Sequence, residues 1–183
     1  MRRMTELDTS ETVLRARGGD RNAVEALVRR FLRPAYLVAL SVLRVPADAE
    51  DVAQEAVAMA MQQLETCRDP GRFSSWLMAG VRNRAFNLLA HGKVKQSFAD
   101  GLKRQESAMV ADADRLVLRQ QLLAALEVLT AQQREVVLLH DLEAWTHPEI
   151  AGALGLTEVN SRQVLSVARR ALRAKLASME TVA

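Results

Sequence analysis

The sequence is short of the residues that build strands, tight turns and disulfides. Aromatic residues make up 4% of its 183 residues, with 8 glycines and 4 prolines. Cys67 is the only cysteine, so an internal disulfide is impossible and a reducing compartment is favoured. The longest apolar run, AYLVALSVL at residues 35–43, is too short to span a membrane, and the polar start MRRMTELDTS is unlike a signal peptide. We therefore expect a soluble cytoplasmic protein without stable membrane insertion.

The residues of common catalytic and metal sites are also scarce. The three histidines, His91, His140 and His147, are scattered and form no H-x-x-x-H pair. A single cysteine cannot complete a zinc site of the usual kinds. The sequence contains neither a glycine-rich phosphate loop nor a nucleophile elbow. It therefore favours a binding protein with no enzymatic activity, no metal and no cofactor.

The apolar residues, 49% of the chain, are mostly alanine, leucine and valine, which favours helices. Ala53, Val57, Ala60 and Leu64, for example, form one stripe at helical spacing. Such patterns predict helices over residues 9–17, 21–44 and 73–90, and another from the turn at VPADAED to about Thr66. Pro34 lies inside the second of these and predicts a kink or a break there.

The composition changes at residues 91–112, where the apolar periodicity fades and charged and small residues dominate. A second helical unit begins at Asp114 and continues to the last helix, which is expected to end near Met179. The predicted fold is therefore two small all-α domains, residues 1–91 and 113–183, joined by a flexible linker over residues 92–112.

The segment THPEIAGALGLTEVNSRQVLSVARRALRAKL, residues 146–176, has the layout of a helix-turn-helix. Gly155 permits the tight turn. In such a motif the N-terminal half of the second helix enters the major groove, and basic residues further along contact phosphates. The alternative is a three-helix core whose basic last helix is only solvated. The candidate DNA contacts are Asn160, Arg162, Gln163, Ser166, Arg169, Arg170 and Arg173.

The chain is basic, with a net charge of +3, yet DAEDVAQEAV at residues 48–57 concentrates acids on one helix. Asp51, Glu55 and Ala58 share a face at i, i+4 and i+7, away from the apolar stripe. A lone acidic face is usually just solvated. The alternative is that it faces a second partner that is not nucleic acid.

Two regions of the sequence carry a family resemblance. The segment at residues 19–57, together with RFSSWLMAGVRNRAFNLL at residues 72–89, resembles the helical core domain of bacterial RNA polymerase sigma factors of the extracytoplasmic-function group. The segment LTAQQREVVLLHDLEAWTHPEIAGALGLTEVNSRQV, residues 129–164, is similar to the promoter-binding domain of the same family. The resemblance implies a subunit that docks on core RNA polymerase, guides it to promoters and helps to open them.

The resemblance also implies roles for particular residues. The acidic helix would bind the clamp helices of the largest polymerase subunit, and the segment Cys67–Asn87 would capture the minus-ten element of promoter DNA. The exposed face of the second domain would read the minus-thirty-five element. An anti-sigma factor is a further expected partner. The polymerase-binding candidates are Asp48, Glu50, Asp51, Gln54 and Glu55, and the minus-ten candidates are Arg72, Trp76, Arg82, Asn83, Arg84 and Asn87.

Some positions leave alternatives open. Phe73 and Trp76 could stack on bases, although core packing is favoured for both. Val164 and Val167 stand where the family commonly has arginines. They could contact thymine methyl groups, be covered by a regulatory partner, or simply widen the apolar core stripe, which is the favoured interpretation.

Two other functions remain as alternatives to a sigma factor. One is a conventional helix-turn-helix regulator that binds operators as a dimer through its N-terminal helices. The other is a sigma-like adaptor that sequesters a partner protein and never contacts DNA. The first would bind its DNA site without polymerase, and the second would not need its arginines.

Overall fold

A computed structural model of the chain describes residues 6–91, 121 and 123–180, and all the regular structure in these ranges is helical. The all-α prediction is therefore confirmed. The linker predicted over residues 92–112 lies outside the described residues. The helices are α1 (Glu6–Arg17), α2 (Arg21–Leu43), α3 (Pro46–Gln62), α4 (Phe73–Ala90), α5 (Ala131–Val137), α6 (His147–Leu154) and α7 (Glu158–Glu180).

Two helices differ from the sequence-based expectation. Helix α2 runs without a break through Pro34, which is buried among apolar neighbours whose packing offsets the missing backbone hydrogen bond. Helix α3 ends at Gln62, and the chain continues as a short 3-10 turn, Leu64–Thr66, which places Leu64 in the core. The stripe predicted from the sequence is buried in both elements.

The caps of the helix-turn-helix unit follow the sequence signals. Thr130 and Gln133 form a capping box at the start of α5, and Thr146 and Glu149 form another at the start of α6. Gly155 ends α6 with a φ of 69°, a left-handed conformation in which a side chain would be strained. A π-helical turn, Leu138–Leu142, extends α5 toward the loop that leads to α6.

The two halves of the chain, α1–α4 and α5–α7, pack against each other around one continuous apolar core. Phe31 of α2 lies at the centre of this contact and is fully buried. Its ring meets Phe73 of α4 edge to face at 5.2 Å and Trp145 of the second half at 6.4 Å. We call this contact the seam. The burial of three aromatic rings stabilises this contact.

Ion pairs also cross the seam. Each joins an arginine of the first half to a glutamate of the second half, so the charges of the two halves are complementary at this contact. The three pairs are Arg30–Glu149 at 3.5 Å, Arg33–Glu143 at 2.5 Å and Arg82–Glu135 at 3.2 Å.

Arg134 of α5 is 2% exposed, and its guanidinium is held by backbone carbonyls. Its Nε donates to the Ser41 carbonyl of α2 at 2.7 Å, and Nη1 donates to the carbonyls of Leu129 at 2.5 Å and Leu126 at 3.4 Å. Burial lowers the pKa of Arg134 to about 10, so the side chain stays charged at neutral pH. Arg134 therefore joins the carboxyl-terminal end of α2 to the second half.

We expect Arg134→Met to lower the free energy of unfolding by about 2–3 kcal/mol, because the variant leaves buried carbonyls without donors. Urea denaturation measures this change. The control is Arg29→Met, which removes an exposed ion pair with Glu25 and should cost less than about 0.5 kcal/mol. Equal effects for the two variants would contradict the role given to Arg134.

Glu135, the neighbour of Arg134, is 4% exposed and faces Arg82 across the seam. The Arg82 Nε and Glu135 Oε1 atoms lie 3.2 Å apart but are not aligned as a hydrogen bond, and neither has another hydrogen-bond partner in the described part of the chain. Burial therefore outweighs the attraction of Arg82 and raises the pKa of Glu135 to about 7.

This shift predicts a pH dependence of stability. A carboxyl group whose pKa is higher in the folded than in the unfolded state contributes stability that is complete below the unfolded value of about 4.5. The contribution is lost as the pH rises through about 7. Between pH 5 and 7.5, Glu135→Gln should flatten the fall in unfolding free energy with rising pH, whereas the exposed control Glu65→Gln should retain it. An unchanged slope in Glu135→Gln would contradict the assignment.

Candidate protein and nucleic-acid interfaces

The acidic helix α3 is divided sharply into a buried and an exposed side. Ala49, Val52, Ala53 and Ala56 pack into the core, whereas the polar residues between them face outward. Of the predicted polymerase-binding residues, Asp48 is partly exposed and the rest are exposed: Glu50, Asp51, Gln54 and Glu55. The structure therefore brings all of them to one accessible surface, which we call the acidic face.

A groove of about 470 Å³ runs beside the acidic face, between α3 and α4. Its lining combines carboxylates with apolar side chains and with two of the predicted minus-ten residues. One of these, Arg84, places Nη2 3.3 Å from the Glu55 Oε2 atom. The lining residues are Asp48, Asp51, Val52, Glu55, Arg84, Asn87 and Leu88.

The other predicted minus-ten residues lie in different environments. Asn83 and Asn87 are exposed one turn apart on α4, and Arg72 is exposed in the 3-10 turn that precedes it. Trp76 is partly buried, with its ring 5.9 Å from that of Phe73, which is fully buried. Core packing is thus confirmed for Phe73, and Trp76 also packs against the core while part of its side chain remains exposed.

Arg82 is the exception among these residues, because it lies in the seam. In addition to the contact of its Nε with Glu135, its Nη2 approaches the Ala153 carbonyl of α6 at 3.5 Å. The side chain is therefore engaged by the second half of the chain and does not lie on the open surface of α4 with Asn83.

Helix α7 presents the exposed polar surface that the helix-turn-helix prediction requires. Ile150, Ala151 and Leu154 of α6 and Leu165 and Ala168 of α7 are buried, and Leu172 is partly buried against the core. Arg169 is partly exposed, and the other candidates are exposed: Asn160, Arg162, Gln163, Ser166, Arg170 and Arg173. We call this surface the basic face.

Two arginines of the basic face have acidic partners. Arg162 contacts Glu158, one turn earlier, at 3.0 Å, while Arg169 reaches Asp141 in the π-helical turn. Burial disfavours the charged form of Asp141, but hydrogen bonds from Arg169 and His140 outweigh it and lower the pKa of this carboxyl group. The hydrogen bond to Asp141 in turn raises the pKa of Arg169. Both groups are therefore charged at neutral pH.

Sequence reasoning missed the charged residues of the seam. Arg134 and Glu135 appear in the sequence as polar residues at the start of an ordinary helix. A signal was nevertheless present, since each lies one helical turn before a buried leucine, Leu138 or Leu139. That spacing puts both charges on the inward side of α5.

Within the described ranges, no three side chains of the histidine, cysteine, aspartate and glutamate types are gathered as a metal site. In the same ranges, no helix is both long enough and apolar enough to cross a membrane.

Comparison with known proteins assigns both halves to one family. The family model for sigma-70 region 2 matches residues 27–93, and the model for sigma-70 region 4 matches residues 119–172. RNA polymerase sigma factor CarQ of Myxococcus xanthus is 32% identical over 146 residues, which cover 78% of this chain and 83% of CarQ. The chain belongs to the sigma-70 family. Relatives named as extracytoplasmic-function sigma factors place it in that group, as the sequence resemblance predicted.

Other relatives of this sigma factor give the same result. The SigM sigma factor of Mycobacterium tuberculosis is 26% identical over 171 residues, covering 89% of this chain and 82% of SigM. The probable RNA polymerase sigma factor RfaY of Xanthomonas campestris is 31% identical over 172 residues. That alignment covers 88% of this chain but only 42% of RfaY, so the chain spans less than half of that relative.

Two solved structures have the same fold. The chain of CnrH, solved in complex with the cytosolic domain of CnrY, is 24% identical to this sigma factor with a TM-score of 0.66. The match covers 93% of this chain and 97% of CnrH. RpoE of Bartonella quintana, solved with the anti-sigma factor NepR, is 18% identical with a TM-score of 0.56, covering 83% and 95% of the two chains.

Val164 and Val167, the two valines that depart from the family pattern, differ in their burial. Val164 is partly buried and packs against the core, whereas Val167 is 42% exposed on α7. We expect Val164→Ala to lower the free energy of unfolding by about 1 kcal/mol through lost burial, and Val167→Ala to change it by less than about 0.5 kcal/mol. Denaturation of both variants under identical conditions checks this difference, and a larger loss at Val167 would contradict it.

Proposed function

We propose that this sigma factor binds core RNA polymerase through the acidic face of α3 and directs it to promoters. Its α4 region contacts the minus-ten element, and the basic face of α7 contacts the minus-thirty-five element. The observation that carries this proposal is the separation of charge: the chain exposes an acidic surface on one helix and a basic surface on another.

The acidic face is unsuited to DNA, because carboxylates and phosphates repel each other. It is suited to a basic protein surface, which would be attracted over the whole row from Asp48 to Glu55. The neighbouring groove adds apolar area at Val52 and Leu88. A protein helix with basic and apolar side chains fits this combination, and the clamp helices of polymerase are the partner that the family resemblance implies.

On α4, Asn83 and Asn87 offer amide groups on an exposed surface, and Arg72 offers a cation at its beginning. Amide groups can pair with the edges of unstacked bases, and the exposed part of the Trp76 ring can contact one. Arg82 can join this surface only when it leaves Glu135 and Ala153. Minus-ten contact by Arg82 therefore requires the seam to open at least locally.

On α7, the exposed residues of the first turns, from Asn160 to Ser166, have the position from which a recognition helix reads base edges. Arg170 and Arg173 follow on the same side and suit phosphate contact, which would make promoter binding salt-dependent. The fold thus supports reading of a duplex element by the second half.

We include an anti-sigma factor among the partners, because the related RpoE of Bartonella quintana was solved in complex with one. We also propose that the protein acts by binding, without catalysis of its own. It would act in the cytoplasm, where polymerase and promoters are found.

The test compares the affinity of core RNA polymerase for the wild-type protein, Asp51→Lys and Glu11→Lys, measured by fluorescence titration. Reversal of a charge within the acidic face should weaken binding about tenfold or more, because it replaces attraction by repulsion. The matched reversal at Glu11, exposed on α1, should have little effect. Equal affinities of Asp51→Lys and the wild type would overturn the assignment of the acidic face.

The promoter role is tested by in vitro transcription with purified core polymerase on a library of genomic fragments. Transcription from specific fragments that requires this protein is the expected result. A DNA footprint formed by the protein alone would favour the dimeric regulator. Transcription that survives charge reversal at both Arg162 and Arg169 would contradict the assignment of the basic face, and no transcription at all would favour the adaptor that does not contact DNA.

A further inference from the structure

A polar cluster holds the recognition helix α7 against the segment that precedes it. The cluster connects Arg169 of α7 to Asp141, Asp141 to His140, His140 to His147, and His147 to Ser161 of α7. It therefore attaches to α7 at two places eight residues apart.

The Asp141 carboxylate accepts two hydrogen bonds from one edge of the Arg169 guanidinium. Its Nε donates to Asp141 Oδ2 at 3.2 Å and its Nη2 donates to Oδ1 at 2.5 Å. A bidentate pair of this kind fixes both the direction and the plane of the guanidinium. It uses two of the five N–H donors, and Nη2 also lies 3.4 Å from His140 Nδ1, so the donors of Nη1 are the ones that remain for a further acceptor.

Asp141 is itself fixed from a second direction. His140 Nδ1 lies 2.8 Å from Asp141 Oδ1, where a ring N–H donates to the carboxylate. The His140 ring packs on His147 at 5.0 Å with an angle of 33° between the planes. The contact with His140 therefore restricts the movement of the Asp141 carboxylate, and Asp141 in turn restricts the Arg169 guanidinium.

The other end of the cluster sets the start of α7. His147 Nδ1 lies 3.0 Å from the hydroxyl oxygen of Ser161, which is fully buried in the first turns of the helix. Partial burial, the neighbouring His140 and the positive charges of Arg162 and Arg169 lower the pKa of His147, while Glu158 opposes them. The imidazole is therefore neutral at pH 7 and contacts Ser161 without adding charge.

Arg169 belongs to the side of α7 that we assign to DNA. It follows Arg162 and Ser166 at spacings of seven and three residues, so the three share one stripe of the helix. Asp141 could affect DNA binding here in two opposite ways. It could weaken the attraction of Arg169 for phosphate, or it could present the guanidinium already oriented and so reduce the entropy lost on binding.

The surroundings of the pair indicate that Asp141 acts mainly by orienting the Arg169 guanidinium and not by neutralising its charge. The side chains of Arg169 and Asp141 are 43% and 33% exposed, so solvent screens the charge of the carboxylate beyond the pair. Arg162, Arg170 and Arg173 supply positive charge on the same face. The geometric effect of a bidentate contact, by contrast, is not screened.

We propose that Asp141 is a positioning residue for promoter recognition, which with His140 holds the Arg169 guanidinium in the orientation that contacts the minus-thirty-five element. This proposal rests on the proposed function of α7. It makes a DNA contact depend on a carboxylate outside the recognition helix.

The experiment measures binding of the holoenzyme to a promoter fragment identified by the transcription assay above. The variants are Asp141→Asn, Asp141→Glu, Arg169→Lys, Arg169→Gln and the double variant Asp141→Asn with Arg169→Lys. Arg169→Lys is the matched control for charge, because lysine keeps the cation but cannot form the bidentate fork. Core polymerase affinity and thermal unfolding are measured in parallel on each variant.

We expect Asp141→Asn and Arg169→Lys each to weaken promoter binding about fivefold, since either change frees the cation from its fixed orientation. The double variant should bind no more weakly than either single one, because both changes remove the same interaction. Asp141→Glu should restore part of the loss. Core polymerase affinity and the unfolding temperature should stay near the wild-type values.

Three results would overturn the proposal. Promoter binding by Asp141→Asn equal to or tighter than the wild type would show that Asp141 does not position Arg169. No effect of Arg169→Gln would show that Arg169 makes no contact. Weakened promoter binding that parallels a loss of stability would show a purely structural role. Failure of the proposed function is distinguishable, because the wild-type holoenzyme itself would then not bind the promoter.

Discussion

The contact around Phe31 is the constraint on which the rest of this structure depends. Its ring is enclosed by Phe73 of its own half and Trp145 of the other half, at 5.2 and 6.4 Å. Apolar burial at this contact helps to offset the cost of enclosing charged groups beside it. Arg134 and Glu135 are the clearest examples, since each has a partner across the seam, the Ser41 carbonyl for Arg134 and Arg82 for Glu135.

The seam also determines which surfaces remain available. The acidic face of α3 and the basic face of α7 both stay accessible in the compact arrangement. Arg82, in contrast, is held by Glu135 and Ala153. The compact form thus leaves the proposed polymerase contact open while it withholds one of the proposed minus-ten contacts. A protein that acts in steps, first on polymerase and then on DNA, is compatible with this order of exposure.

Several arginines near the proposed interfaces form ion pairs with a neighbouring carboxylate. Arg84 lies beside Glu55, Arg162 beside Glu158, and Arg169 beside Asp141. Exposed ion pairs contribute little to the free energy of unfolding, so we expect their main effect to be on the positions of the side chains. They keep long, flexible side chains in defined places before a partner arrives.

The sequence by itself determined the helices, their caps and the two faces of α3 and α7. These depend on periodicity and on contacts between residues a few positions apart, such as Thr146 with Glu149 or Gly155 with the turn that it permits. It also indicated the family, because the motifs of both halves lie in continuous segments. Helix α2 already shows the limit of local rules, since tertiary packing carries it through Pro34. Only the tertiary structure decided that Arg82 faces Glu135, that Arg134 reaches the carbonyl of Ser41, and that Asp141 grips Arg169. These partners lie 53, 93 and 28 positions apart in the chain, and no local pattern encodes which distant charges meet when two apolar surfaces close on each other.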